Sequence, residues 1–175
     1  MKVVKCYHSK AKAWIESQIK RIPPPIREIL KDVSIYCFRT DASVDGTISR
    51  NRRTTDGRPS CHTSHFNEEL NAIILFAKDV CIEEGAFNMF LHEVGHALDW
   101  QLGQKRFYIS EYLDCGESLD KYAALNPREQ FAQAFEAWFR THRRSTSSEL
   151  EHTKEEVLEK APKLFELLQG LGEGS

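Results

Sequence analysis

Residues His92-Glu93-Val94-Gly95-His96 constrain this chain more than any other stretch. They form an H-E-x-x-H pattern inside an apolar segment of helical period. Residues four apart on a helix lie one turn apart on the same face, so both imidazoles can point at one ion. Glu93, beside them, can reach a water on that ion. This is the residue pattern of zinc hydrolases, with the Glu as general base. The chain has 7 His and 26 acids in 175 residues, so a chance match to H-[DE]-x-x-H is expected about 0.04 times. The pattern is informative, and it requires a helix with a polar face turned inwards.

The surrounding sequence supplies that helix and a scaffold. Over 86–102, Phe87, Phe90, Leu91, Val94, Leu98 and Leu102 make an apolar stripe, while His92, Glu93, His96 and Asp99 lie on another face. Gly95 costs about 1 kcal/mol against Ala in a helix interior, which points to close approach by a neighbouring backbone. Upstream, Ser9 can cap a helix over 10–21 whose Trp14, Ile15, Ile19 and Ile22 face the core. Pro23-Pro24-Pro25 ends it, and the third proline can open a short helix over 26–31. The alternating, β-branched stretch 33–38 and the apolar run 71–77 read as strands.

Between them, 39–65 is polar, with turn signals at Asp45-Gly46 and Asp56-Gly57 and a hairpin expected near Gly46. Arg50, Arg52, Arg53 and Arg58 make it locally basic, but interspersed acids favour a solvated loop. Cys61, His62 and His65 lack partners at zinc spacing. Downstream, 104–120 reads as a connection with a short turn or strand at 106–109, then a helical turn over 119–124. Asn126-Pro127 opens a helix to about 142. Thr153 and Glu156 form a capping box, Pro162 interrupts the last helix, and 170–175 is expected to fray.

Together these elements describe one α+β domain over 1–175. About 1–80 forms a helix-plus-sheet part with a small mixed sheet. About 81–170 forms a mainly helical part carrying the histidines. A net charge of −2 gives no electrostatic drive towards nucleic acid or an anionic membrane, and no apolar run approaches membrane-spanning length. No signal peptide is visible in the first residues, so a cytoplasmic location is the expectation by sequence, with export without a leader or a processed mature chain left open. The five cysteines are odd in number and widely spaced, so they are neither a disulfide framework nor a zinc knuckle. Cys37 and Cys81 read as small core residues.

A catalytic zinc site has three protein ligands and one open position. The helix from Pro127 offers Glu129, Gln133 and Glu136. Spacing alone leaves Glu129 open between two roles. It can be a ligand, or the N3 residue of a capping box with Asn126. Glu117, Asp120 and Asp99 are rival ligands.

The segment Phe90-Leu91-His92-Glu93-Val94-Gly95-His96-Ala97-Leu98-Asp99 resembles the catalytic domain of anthrax lethal factor and the related Pro-Pro endopeptidases. So do Tyr122 and, seven residues on, Glu129-Gln130-Phe131-Ala132-Gln133-Ala134-Phe135, as well as Ala161-Pro162-Lys163. The resemblance spans roughly 90–168. It implies a zincin-like fold and a zinc metalloendopeptidase acting on peptide or protein substrates, with one Zn2+ per chain held by His92, His96 and Glu129. Glu93 would be the base and Tyr122 the donor to the tetrahedral oxyanion. Asp99 could orient a ligand histidine, and so could Gln133, which stands where the family has a second Glu. That replacement removes a charge and leaves a zinc-binding module without catalysis as the second reading. In size the chain is similar to stand-alone family members, expected as a monomer, although the family is largely secreted. A di-iron oxidase, suggested by E-x-x-H at Glu93 and Glu149, conflicts with the strands and with the polar surroundings of the second copy.

Overall fold

The computed structural model describes residues 1–38, 64–80, 86–142 and 151–174. The hairpin expected near Gly46, the basic stretch 50–58, Cys61, His62, Cys81 and Glu149 lie outside these residues.

The described chain is α+β, with a four-stranded mixed sheet and six α-helices. Strand β1 (Lys2–Cys6) leads through α1 (Ser9–Arg21) and α2 (Pro24–Ile29) to β2 (Ser34–Phe38). β1 and β2 are parallel, so the two helices form the crossover that parallel strands require. β4 (Ala72–Phe76) lies parallel to β2, and β3 (His65–Asn67) runs antiparallel to β4, giving the order β1-β2-β4-β3. Every residue of β4 is buried, which is why it reads as a continuous apolar run rather than an alternation. The β3–β4 hairpin turns at Asn71, at φ 47°, a conformation Asn tolerates well. Its side chain holds the turn to Asp32 O at 3.0 Å and accepts from Gln101 at 2.7 Å.

The strands expected at 33–38 and 71–77 are thus present, and two more are added. β1 was hidden because an edge strand with exposed residues shows no apolar signal. β3 is too short for any periodicity. α1 begins one residue early. His8, not Ser9, caps it, its Nδ1 accepting from Ala11 N at 3.2 Å. α2 starts at the second proline rather than after the third. Proline fits both N1 and N2 because the first helical N–H groups have no intrahelical acceptor.

The second half is helical: α3 (Met89–Leu102), α4 (Pro127–Ala137), α5 (Lys154–Lys160) and α6 (Pro162–Glu173). The segment expected as a turn or strand at 106–109 is a turn over 103–106 followed by a 3-10 turn at Ile109–Tyr112, and the expected helical turn at 119–124 is a 3-10 turn at Ala123–Leu125. α3 starts at Met89 rather than 86 because Asn88 caps it, accepting from Leu91 N at 3.1 Å. α4 stops at Ala137, five residues before the expected end. Thr153 and Glu156 make the anticipated capping box. Residues 170–173 continue α6 instead of fraying; Leu164, Phe165 and Leu168 anchor that helix in the core.

One core cluster joins the layers. Ile15, Ile26, Ile35, Ile73 and Leu75 from the sheet half meet Phe90, Val94, Leu98, Phe131, Phe135 and Leu168 from the helical half. Cys37 is a buried core residue within it. Among the described residues no helix is long and apolar enough to cross a membrane.

Candidate metal centre

The site begins where α3 crosses α4. A Cβ added to Gly95 would lie 2.7 Å from Ala132 Cα, 3.1 Å from Ala132 O and 3.2 Å from Phe135 Cβ. Real Cβ atoms do not come that close, so only glycine permits this crossing. The approach inferred from Gly95 in the sequence is the one observed. The helices run antiparallel: Asn88, at the start of α3, donates its N–H to Glu136 Oε1 at 2.9 Å near the end of α4.

This crossing brings three donors together. Glu129 Oε2 lies 3.3 Å from His92 Nε2 and 3.5 Å from His96 Nε2. The three ligand atoms lie within 4.8 Å of one another. Glu129 sits in the first turn of α4, where Asn126 Oδ1 accepts its N–H at 3.0 Å. Of the two roles left open for Glu129, the carboxylate takes the one facing the histidines, and of the capping box the structure shows the Asn126 half.

Distances test the fit to a metal. Ligands held ~2.0–2.1 Å from a tetrahedral zinc lie roughly 3.3 Å from each other. The separations of 3.3 and 3.5 Å match that edge. They are long for charge-assisted hydrogen bonds, which fall at about 2.7–2.9 Å. Two imidazoles and one carboxylate are also a suitable donor set for zinc. The His92 and Glu129 side chains are almost wholly buried, and His96 keeps 14% exposure, so solvent reaches the group from the His96 side.

Charge in the metal-free site is coupled. Burial alone would depress the His96 pKa, but the carboxylates of Glu129 and Glu93 outweigh it and raise it to about 9. Burial would likewise raise Glu129, yet His96 and His92 together hold it well below the usual carboxylate range. Both directions describe an imidazolium–carboxylate pair.

Glu93 is buried beside this pair on α3. The Tyr122 ring, half-buried, has its centroid 6.2 Å from that of His92. Phe87 flanks His92 at 5.4 Å.

The proposed supporting residues behave differently from expectation. Asp99 is fully buried, and its carboxylate accepts from Ser110 N at 2.8 Å and Ser110 Oγ at 2.5 Å. It anchors the 109–112 turn, and its influence on His96 is through charge alone. Gln133 is buried, but among the described residues neither of its amide atoms has a hydrogen-bond partner, and neither does His92 Nδ1. The expected bond from Gln133 to a ligand histidine is not made; a neutral amide lacks the charge that draws a carboxylate to an imidazole. The rival ligand Glu117 is exposed. Asp120 is taken up by His152 and by the backbone N–H groups of Tyr122 and Ala123. His65 lies on β3, outside the donor group.

Three buried polar residues have structural roles that the sequence reading did not give them, His152 having entered only as the histidine of the second E-x-x-H. Gln130 holds the 115–119 segment on α4, accepting from Leu119 N at 3.1 Å and donating to Glu117 O at 2.6 Å. Arg140 pairs with Glu136, one turn earlier, and donates to His152 O at 3.0 Å and Ala86 O at 3.2 Å. His152 is buried against Asp120. The Glu136–Arg140 pair was detectable from its i,i+4 spacing. The others join residues far apart in the chain and carry no local signal.

No protein-family model matches the chain, and comparison with curated proteins returns no match.

Proposed function

We propose that the chain is a zinc-dependent metalloendopeptidase of zincin-like fold, similar to the lethal-factor and Pro-Pro endopeptidase type. The observation that carries this reading is the convergence of His92, His96 and Glu129, with the Glu129 carboxylate at tetrahedral-edge separations from both histidines and all three ligand atoms within 4.8 Å of one another.

His92, His96 and Glu129 would hold the metal. Zinc there would supply Lewis acidity, bringing the pKa of a bound water towards ~7 and polarising a carbonyl. Glu93, buried next to His92, takes the proton of the attacking water and passes it to the leaving amine. Tyr122, across the His92 ring, donates its hydroxyl to the oxyanion as the carbonyl carbon becomes tetrahedral. Burial of His92, Glu93 and Glu129 strengthens these contacts, while the His96 side stays open to water. An extended peptide fits the geometry beside α3: β3 lies at the sheet edge and packs with β4 against that helix, and an edge strand can pair with a substrate backbone.

The test pairs Glu93→Gln with Tyr122→Phe in zinc-loaded protein. Cleavage of an unbiased peptide library, read by mass spectrometry, is expected from the wild type. Glu93→Gln should abolish it with one zinc still bound. Tyr122→Phe should lower kcat on the order of 10²-fold with zinc occupancy unchanged. A wild type that binds zinc and cuts nothing replaces this reading with the binding-module reading, which the neutral Gln133 favours.

A further inference from the structure

The Tyr122 hydroxyl can serve an oxyanion only if its turn is held still; the turn packs against α4, and polar contacts fix where it begins. Tyr122 precedes the three-residue 3-10 turn Ala123–Leu125, and no side chain caps that turn from Tyr122 itself. Its anchor is Asp120. One carboxylate oxygen, Oδ1, accepts from Tyr122 N at 2.7 Å and from Ala123 N at 2.8 Å. This is the Asx-turn arrangement, in which a short acid side chain replaces a missing backbone partner.

The second oxygen is also engaged. Asp120 Oδ2 meets His152 Nε2 at 2.7 Å, from side chains only 9% and 5% exposed. His152 lies thirty-two residues away in sequence, just before α5, and is itself fixed. Its carbonyl accepts from Arg140 Nη1 at 3.0 Å, and Lys154 N donates to Arg140 O at 2.9 Å. Arg140 pairs with Glu136, and Glu136 accepts from Asn88 N, the cap of α3. A continuous chain of buried polar contacts thus runs from the start of the histidine helix to the Tyr122 turn.

We infer that His152 and Asp120 are positioning residues: His152 orients the Asp120 carboxylate, and Asp120 fixes the Tyr122 turn relative to His92. This inference rests on the role given above to Tyr122. His152 touches neither metal ligand nor reacting atoms and acts only through Asp120. The network is referenced to α3, so movement of the histidine helix and of Tyr122 is coupled. Rigid support of this kind decides whether a donor meets a developing charge.

The test uses two polar replacements that differ in reach. In His152→Gln the amide nitrogen falls near the position of Nε2 and still meets Asp120. In His152→Asn it falls near Nδ1 and stops short. The first readout needs no catalysis: nuclear Overhauser contacts between the Tyr122 and His92 rings in labelled full-length protein. Wild type and His152→Gln should show them, and His152→Asn should lose most of their intensity while keeping zinc.

The second readout is kinetic. His152→Asn should lower kcat on the order of tenfold with KM within about twofold, and His152→Gln should recover most of it. In a Tyr122→Phe background His152→Asn should cost less than about twofold, because its effect passes through the missing hydroxyl. Asp120→Asn, which keeps the oxygen for the turn but removes the charge facing His152, is the second variant and decides the matter if His152→Asn does not fold. Ring contacts at wild-type intensity in both overturn the inference, as does an equal loss of kcat in the Tyr122→Phe background. If the wild type cuts no peptide, the peptidase reading falls, and the ring contacts alone decide whether His152 places Tyr122.

Discussion

Replacing Gly95 with Ala sets two physical effects against each other. Judged as a helix residue, Ala is better than Gly by about 1 kcal/mol, so the variant should gain stability. The tertiary structure demands the reverse. The new Cβ would sit 2.7 Å from Ala132 Cα and 3.1 Å from Ala132 O, where carbon contacts are relaxed at about 3.5–4.0 Å. The obstruction is backbone, so no rotamer change relieves it, and trimming Ala132 to Gly does not help. α4 must retreat by roughly 1 Å to restore normal contact. Overpacking of this kind costs about 1–3 kcal/mol, which offsets or exceeds the helix gain and leaves a net loss of about 0–2 kcal/mol, a fall in Tm of up to about 8 °C for a chain of this size.

The same retreat carries Glu129 away from the histidines and stretches separations now at 3.3 and 3.5 Å. Zinc affinity should therefore fall at least tenfold, by about 1.4 kcal/mol or more. Thermal unfolding of the metal-free protein and zinc titration against a chelating dye measure the two effects separately. A Gly95→Ala protein that melts higher than wild type, or binds zinc equally well, refutes the claim that this contact sets the site.

Other expectations follow from the same geometry. Glu129→Gln should keep the Asn126 cap, since the backbone N–H is unchanged, yet reduce zinc occupancy sharply at micromolar metal; full occupancy would remove Glu129 as a ligand. Zinc binding near pH 7 should release about one proton, because His96 in the metal-free site is protonated up to about 9. Calorimetry in buffers of different ionisation enthalpy counts it. For the metal-free protein, the raised His96 pKa contributes stability below about pH 6.5 that disappears as pH rises through about 9. The depressed Glu129 contributes stability above about pH 4.5 that is lost as its carboxylate protonates in acid. Melting temperature should thus fall between pH 7 and 10 without zinc and fall less with zinc bound.

Local pattern carried the parts of this protein whose causes are local. H-E-x-x-H inside an apolar period announced a helix with two inward histidines, and Gly95 within it announced a close neighbour. Asn126-Pro127 marked the start of α4 because cap and N1 preferences act within one turn. β2 was legible from its alternation and β4 from the apolar run that burial on both faces forces. Strands β1 and β3 were not, since an edge strand is defined by its pairing and not by its own hydrophobicity.

The supporting residues around the site depended on the tertiary structure alone. Asp99, three residues from His96, looked like its partner but turns to Ser110. Gln133 looked like a bond to a ligand and makes none among the described residues. Asp120, a rival ligand by type, holds the Tyr122 turn and meets His152 from far along the chain. Spacing names the groups that share a helix face, because 3.6 residues per turn is a property of the chain. Which buried acid meets which donor depends on how helices cross, and that is decided by the packing of Gly95 against Ala132 and by the core as a whole.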